Sequence, residues 1–377
     1  MPNRPGIASM SLGRPYVHDL PSKLRAAAAY GFEGIELFYD DLDFLAKEQF
    51  NSDPLAAAHA VRRLCDALSL EIICLQPFSF YEGLLDRSQA EELVTEKLAL
   101  WFTLCPVLDT DLIQVPANFL RPDPSGAPRT TGDMSLIVSD LQRIADLGAL
   151  QKPRPIRFVY EALCWSNHID TWEASWEVVK RVDRANFGIC LDTFNIAGRV
   201  YADPTSPTGK TPDAEQDLRE SIARLRSSID VTKIFYVQVV DGERLDAPLD
   251  ESHPFYVAGQ PARMNWSRNA RLFAFEEERG GYLPVLDVAR AFFDLGFEGW
   301  VSLELFSRTL AEDHAGVPDA HAKRGIESWK KLVAALGLRT DASRGSFWEK
   351  LIRLFPFRTG TKDSFTGQLT SMVRPSL

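Results

Sequence analysis

Short apolar runs alternate along this chain with longer stretches in which apolar positions recur at helical spacing. Eight runs read as strands: GIASMSL (6–12), GIELF (34–38), EIICLQPF (71–78), LIQVP (112–116), IRFVYEA (156–162), FGICLD (187–192), IFYVQVVD (234–241) and WVSLELF (300–306). They are continuous rather than alternating, the pattern of strands buried on both faces. Helical periodicity predicts helices over 22–30, 53–69, 90–108, 135–147, 172–181, 214–229, 285–295 and 321–336. Helix-stopping glycines precede strands in YGFEGIEL and LGFEGWVSL. Strands and helices in this alternation predict an α/β chain, a (β/α)8 barrel filling residues 1–338. The competing open doubly wound sheet would carry a glycine-rich phosphate turn after its first strand, and SMSLGRP is not one.

Two connections are too long for plain loops: 193–214 after strand six, and 242–284 after strand seven, which carries Trp266, Arg268 and Arg271. Both leave the C-terminal ends of strands, where barrels build their sites, so they read as lids or substrate walls. Residues 339–377 are richer in Ser, Thr and basic residues and hold one amphipathic run, FWEKLIRLF. They read as an extension rather than a domain, the run packing on the barrel or a partner subunit in preference to a membrane surface.

Composition narrows the partners. With 377 residues, 45% apolar and 25% charged, the chain is an ordinary globular protein. A net charge of −10 argues against nucleic acid, which favours a basic face. Five cysteines stand without paired spacing, as expected of buried thiols in a reducing compartment. The N-terminus shows no signal-peptide core, and no apolar stretch approaches the roughly 20 residues of a membrane span. A cytoplasmic protein acting on a small molecule is the expectation, with a homo-oligomer left open.

The chemistry gathers in the second half. Four apolar runs end on an oxygen-bearing side chain: IRFVYE on Glu161, FGICLD on Asp192, IFYVQ on Gln238 and WVSLE on Glu304. A carboxylate in an apolar strand is costly unless its charge is compensated. Strands five to eight of a barrel converge on one mouth, so a single divalent cation would compensate all of them; structural pairing with arginines is the alternative. Oxygen donors favour Mg²⁺, Mn²⁺ or Co²⁺ without excluding zinc, and the six histidines show no HExxH spacing. Such a metal polarises a carbonyl while a neighbouring base removes a proton. His168, Asn195 and Glu36 are the candidate catalytic groups. Arg268 and Arg271 suit a substrate carboxylate, and Gln76, Tyr81, Gln114 and Asp241 follow or end strands where they could meet hydroxyls.

At these residues the chain resembles the fungal 3-dehydroshikimate dehydratases of the xylose-isomerase-like superfamily. The likeness runs from about residue 5 to 336 and is carried by FVYEALCWS, CLDTFNIAGRVYADP, YVQVVD, WSRN and WVSLELF. It implies metal-dependent loss of water from 3-dehydroshikimate to give protocatechuate, as in quinate and shikimate catabolism. By the same resemblance the metal ligands fall on Glu161, Asp192, Gln238 and Glu304, and the substrate-binding arginine on Arg271 or Arg268. Bacterial members carry histidine where this chain has Asn195, an amide unable to act as base. That duty then passes to His168, Glu36 or a metal-bound hydroxide. A sugar or keto-acid isomerase or epimerase would use the same barrel and metal, and a catalytically dead metabolite-binding barrel is the reading from another class. An endonuclease of the superfamily would need more histidines and a basic face.

Overall fold

Eight parallel strands close into a barrel in the computed structural model, which describes residues 2–340. In chain order they are β1 Arg4–Ala8, β2 Gly34–Phe38, β3 Glu71–Gln76, β4 Leu112–Pro116, β5 Arg157–Glu161, β6 Phe187–Asp192, β7 Ile234–Gln238 and β8 Trp300–Leu303. Each strand lies beside its sequence neighbours, and β8 closes on β1 with Gly6 opposite Ser302. The expected (β/α)8 architecture is therefore the observed one. The end of the chain beyond Thr340, including FWEKLIRLF, lies outside the described residues.

Strand parity sorts the side chains. Outward positions such as Ile35, Leu37, Ile113, Val115, Leu191 and Val237 pack in the main core with the surrounding helices. A second cluster, Ile73, Cys74, Leu112, Val159, Cys190 and Tyr236, belongs to the opposite face of the strands and fills the barrel itself. Two residues beyond most of these stand polar side chains: Gln76, Gln114, Glu161, Asp192 and Gln238. Period-two alternation thus lays a polar layer on an apolar plug. The floor is tight: a Cβ on Gly34 would come within 2.5 Å of the Trp300 ring.

Several elements differ from expectation at their ends. The first strand stops at Ala8 because Ser9–Leu12 turn into a 3-10 helix. Ser9 Oγ there accepts from the Phe38 N–H (3.0 Å) and Ser11 Oγ from Leu305 N–H (2.8 Å), so serines tie strand ends together. The last strand ends at Leu303, which puts Glu304 just past it. Expected helices have natural stops, such as Asp19 capping Leu20–Tyr30 and left-handed Gly31 ending it. Three helices were not expected: Tyr39–Gln49, Thr193–Val200 and Ala262–Ala270. The last two lie inside the long connections, so these are structured walls. The second connection is clasped by a two-residue antiparallel pairing of Asp241–Gly242 with Arg271–Leu272.

Candidate metal centre at the barrel mouth

The polar layer is one continuous network. Glu161, Asp192 and Glu304 are buried, and one oxygen from each lies within 4.8 Å of those of the others. β5 and β6 deliver the first two, and β8 hands on the third. Asp192 doubles as the helix cap of Thr193–Val200, its Oδ1 accepting from the Phe194 N–H at 2.9 Å, which leaves Oδ2 turned to the cluster.

Amides hold these carboxylates in place. Asn195 Nδ2 donates to Glu161 Oε1 and to Asp192 Oδ2, both at 2.8 Å, while its Oδ1 accepts from the Cys164 N–H at 3.1 Å. Its donor and acceptor are thus spent on fixing geometry. Gln114 Nε2 donates to the other oxygen of Glu161. Glu36, fully buried, receives Gln76 Nε2 at 2.7 Å, Tyr236 Oη at 2.8 Å and Gln238 Nε2 at 3.0 Å. Gln76 also reaches Glu304 Oε1 at 3.3 Å.

Arg271 closes the network. Only 1% exposed, it donates through Nη1 to Asp192 Oδ2 (3.1 Å), Glu304 Oε2 (3.3 Å) and the Glu304 carbonyl (3.2 Å). Ser267 Oγ accepts its Nε at 2.9 Å, and the guanidinium stacks 4.2 Å from the Phe194 ring centre. The clasp sets its backbone, with Gly242 opposite it.

One guanidinium faces four carboxyl groups, Glu36 included. Burial is the first cause pushing Glu161 and Glu304 well above the ordinary carboxyl range, and their neighbours' charges add to it. Asp192 is raised by burial against the pull of Arg271, and Glu36 rises to about 7 by burial despite three hydrogen bonds that favour its charge. Among the described residues the cluster lacks a second positive charge. It also holds a free acceptor: Gln238 spends its amide hydrogens on Glu36, and its Oε1 is buried without a hydrogen-bond partner among the described residues. Three carboxylates with an orphaned amide oxygen fit a hard divalent cation.

Other expected site residues sit elsewhere. Tyr81 is buried under the rim with its hydroxyl on the Asp140 carbonyl (3.2 Å). Asp241 takes the N–H groups of Gly242, Tyr282 and Leu283, and so pins the long connection. His168 is exposed on the loop after β5, one ring nitrogen 3.2 Å from Thr130 Oγ1; no hydrogen bond among the described residues links it to the cluster. Arg268 is exposed and reaches Gln260 Oε1 at 3.3 Å. Among the described residues neither arginine pairs with the acidic run Glu276–Glu278, where Glu276 holds Arg324. Tyr236, Ser267 and Phe194 were not anticipated, although the aromatic two residues before Gln238 had the parity to face inward.

A buried oxygen cage at the C-terminal mouth of a parallel barrel is one form of the xylose isomerase-like TIM barrel, and residues 24–332 match that family, to which the chain belongs. It is 55% identical over 353 residues to a 3-dehydroshikimate dehydratase of Neurospora crassa, covering 90% of this chain and 96% of that one. To a 3-dehydroshikimate dehydratase of Pseudomonas aeruginosa it is 32% identical over 303 residues, 80% of this chain and 38% of that longer protein. Among solved structures, a xylose isomerase-like TIM barrel/4-hydroxyphenylpyruvate dioxygenase fusion protein superposes with a TM-score of 0.66 at 26% identity, over 88% of this chain and 43% of that one.

Proposed function

We propose that this protein is a divalent-metal-dependent dehydratase that removes water from 3-dehydroshikimate to give protocatechuate. The observation that carries the reading is the 55% identity to the Neurospora crassa dehydratase over 90% of a chain that holds a buried oxygen cage. Glu161, Asp192, Glu304 and Gln238 Oε1 would hold the metal, with Mg²⁺, Mn²⁺ or Co²⁺ favoured by the all-oxygen donor set. Bound there, the metal supplies Lewis-acid polarisation of the ring carbonyl and its adjacent hydroxyl.

The chain's residues do the rest. Asn195 and Gln114 fix the orientation of Glu161 and Asp192. Glu36 fixes the Gln238 amide so that its oxygen stays turned away from Glu36. Asn195 is an amide and Glu36 is held by donors, so proton transfer is assigned to His168, which would have to turn from its place beside Thr130 towards the cage. A proton leaves the ring carbon beside the carbonyl or its vinylogous position, the β-hydroxyl departs and the two make water; a second proton then moves from the remaining saturated ring carbon to the carbonyl oxygen, and the ring becomes aromatic. The cytosol is the compartment we assign, consistent with five buried free thiols. No described helix is long and apolar enough to cross a membrane.

The test is an absorbance assay for protocatechuate with metal-stripped protein, with and without added Mg²⁺, Mn²⁺, Co²⁺ or Zn²⁺. Metal-restored product formation is expected. A folded sample that yields none with any of these ions would overturn the proposal.

A further inference from the structure

One flank of the mouth is apolar where the rest is polar. Residues paired in register across parallel strands face the same way, so the inward row can be followed up each strand. On β2 it is Gly34, Glu36 and Phe38, and on β1 it is Gly6 and Ala8, with Ala8 opposite Glu36. On β8 Ser302 lies opposite Gly6, and Glu304 and Phe306 continue its row. Ala8, Met10 and Phe38 are buried together with Phe306 packed against them, in a cluster separate from both the helix-side core and the barrel plug. The two phenylalanine rings meet edge to face, 5.9 Å between centres and 82° between planes.

This cluster lies directly on the oxygen cage. Phe306 stands two residues past Glu304, and its carbonyl accepts the Arg271 N–H at 2.9 Å. Its ring centre is 5.1 Å from the guanidinium that grips Asp192 and Glu304. Phe38 pairs in register with Gln76, whose amide reaches both Glu36 and Glu304. Phe194, the other ring beside this guanidinium, is fully buried, whereas Phe306 is only half-buried. Phe306 therefore leaves apolar surface uncovered next to the cage, and a ligand face that covered it would be stabilised by the area removed from water.

We propose that Phe306, braced edge-on by Phe38 and backed by Met10, is a shelf for one face of the substrate's ring while the ring's oxygens sit in the cage, and that it selects flat rings over open-chain hydroxy ketones. The proposal rests on the dehydratase reading for the substrate's identity. A cyclohexenone on its way to a benzene ring presents a flat, largely apolar face that a phenyl ring can cover throughout. An open-chain sugar carries a hydroxyl on nearly every carbon and would strand some of them against the shelf without partners. Phe306 takes no proton and holds no charge, so its part is to set which molecules lie flat over the cage.

The experiment is a calorimetric titration of the full-length, Mn²⁺-loaded protein with catechol, a flat ring bearing two chelating oxygens, and with acetohydroxamate, which chelates through two oxygens but has no ring. F306A and F306L are compared with wild type after circular dichroism shows each folded; F306L keeps the volume filled and decides the matter if alanine does not fold. Loss of the ring contact should weaken catechol about 10-fold or more in F306A and about threefold or more in F306L, while acetohydroxamate and Mn²⁺ each hold within about twofold. Unchanged Mn²⁺ and acetohydroxamate binding shows that Arg271 and the cage have not shifted. KM for 3-dehydroshikimate should rise in step with the catechol loss. Catechol binding that is unchanged in the variants, equal losses for both ligands, or no catechol binding by wild type would overturn the shelf. The titration needs no turnover, so a ring-selective loss in a protein that does not convert 3-dehydroshikimate overturns the dehydratase reading alone.

Discussion

Glu82 offers a quantitative test of how burial controls charge near the site. It lies on the loop after β3, fully enclosed, with Oε1 accepting from the Asn118 N–H at 2.5 Å and from Tyr160 Oη at 3.1 Å. Its Oε2 is buried without a partner among the described residues. Burial, which outweighs those two hydrogen bonds, raises its pKa to about 8. An unfolded glutamate releases its proton near 4.3. Between these values the folded state holds a proton that the unfolded state has lost, so stability falls as pH rises through that window. One proton is worth about 1.4 kcal/mol per pH unit, so going from about pH 5.5 to 7 removes about 2 kcal/mol. Glu82→Gln keeps an oxygen for both donors and has nothing to titrate. Urea unfolding of wild type and variant at each pH isolates this group, because the other titrations cancel in the difference. The variant should gain about 2 kcal/mol on wild type across that interval. A difference that stays flat with pH would show that Glu82 is ionised in the fold and refute the burial argument.

Other expectations follow from the cage. Glu161→Gln and Asp192→Asn should each abolish turnover in a folded protein and lose Mn²⁺ binding by calorimetry; full activity in either would remove it from the metal site. His168→Ala should lower kcat by about 100-fold or more while leaving metal affinity unchanged, read by steady-state rates and the same titration; an unaltered kcat would reassign proton transfer. Arg271→Met strands Asp192 and Glu304 beside each other. It should cost the metal-free protein about 3–5 kcal/mol in denaturant unfolding, partly restored by Mn²⁺, and an unchanged midpoint would mean the ion pairs contribute nothing.

Much of this was readable from residue order because the barrel writes itself in a simple code. A run buried on both faces and ending on an oxygen, as in FGICLD or WVSLE, marks both a strand and its mouth-side ligand. What failed was inference from nearness to a strand end. Asp241 follows its strand as closely as Asn195 does, and Tyr81 only a little less so, yet the chain beyond β3 and β7 turns them into anchors for their own loops. The Asn195 staple depends on a two-turn helix starting directly at Thr193, inside a connection that was read only as a long loop. Tyr39–Gln49 escaped for a different reason: the acidic DDLDF opening presents little apolar periodicity.

The Asp241–Gly242 clasp has a consequence for how such a protein can change. Because it joins both ends of the excursion through Ala262–Ala270, Arg271 is held to the cage whatever path the chain takes between them. The segment beyond the clasp is in effect an exchangeable cassette. Between Glu243 and the helix Ala262–Ala270 it can lengthen, shorten or trade residues such as Gln260, provided Ser267 stays to accept from Arg271. A lineage can therefore alter which ring acid it admits without rebuilding the chemistry that acts on it, and chimeras cut at 243 and 261 are the natural place to start.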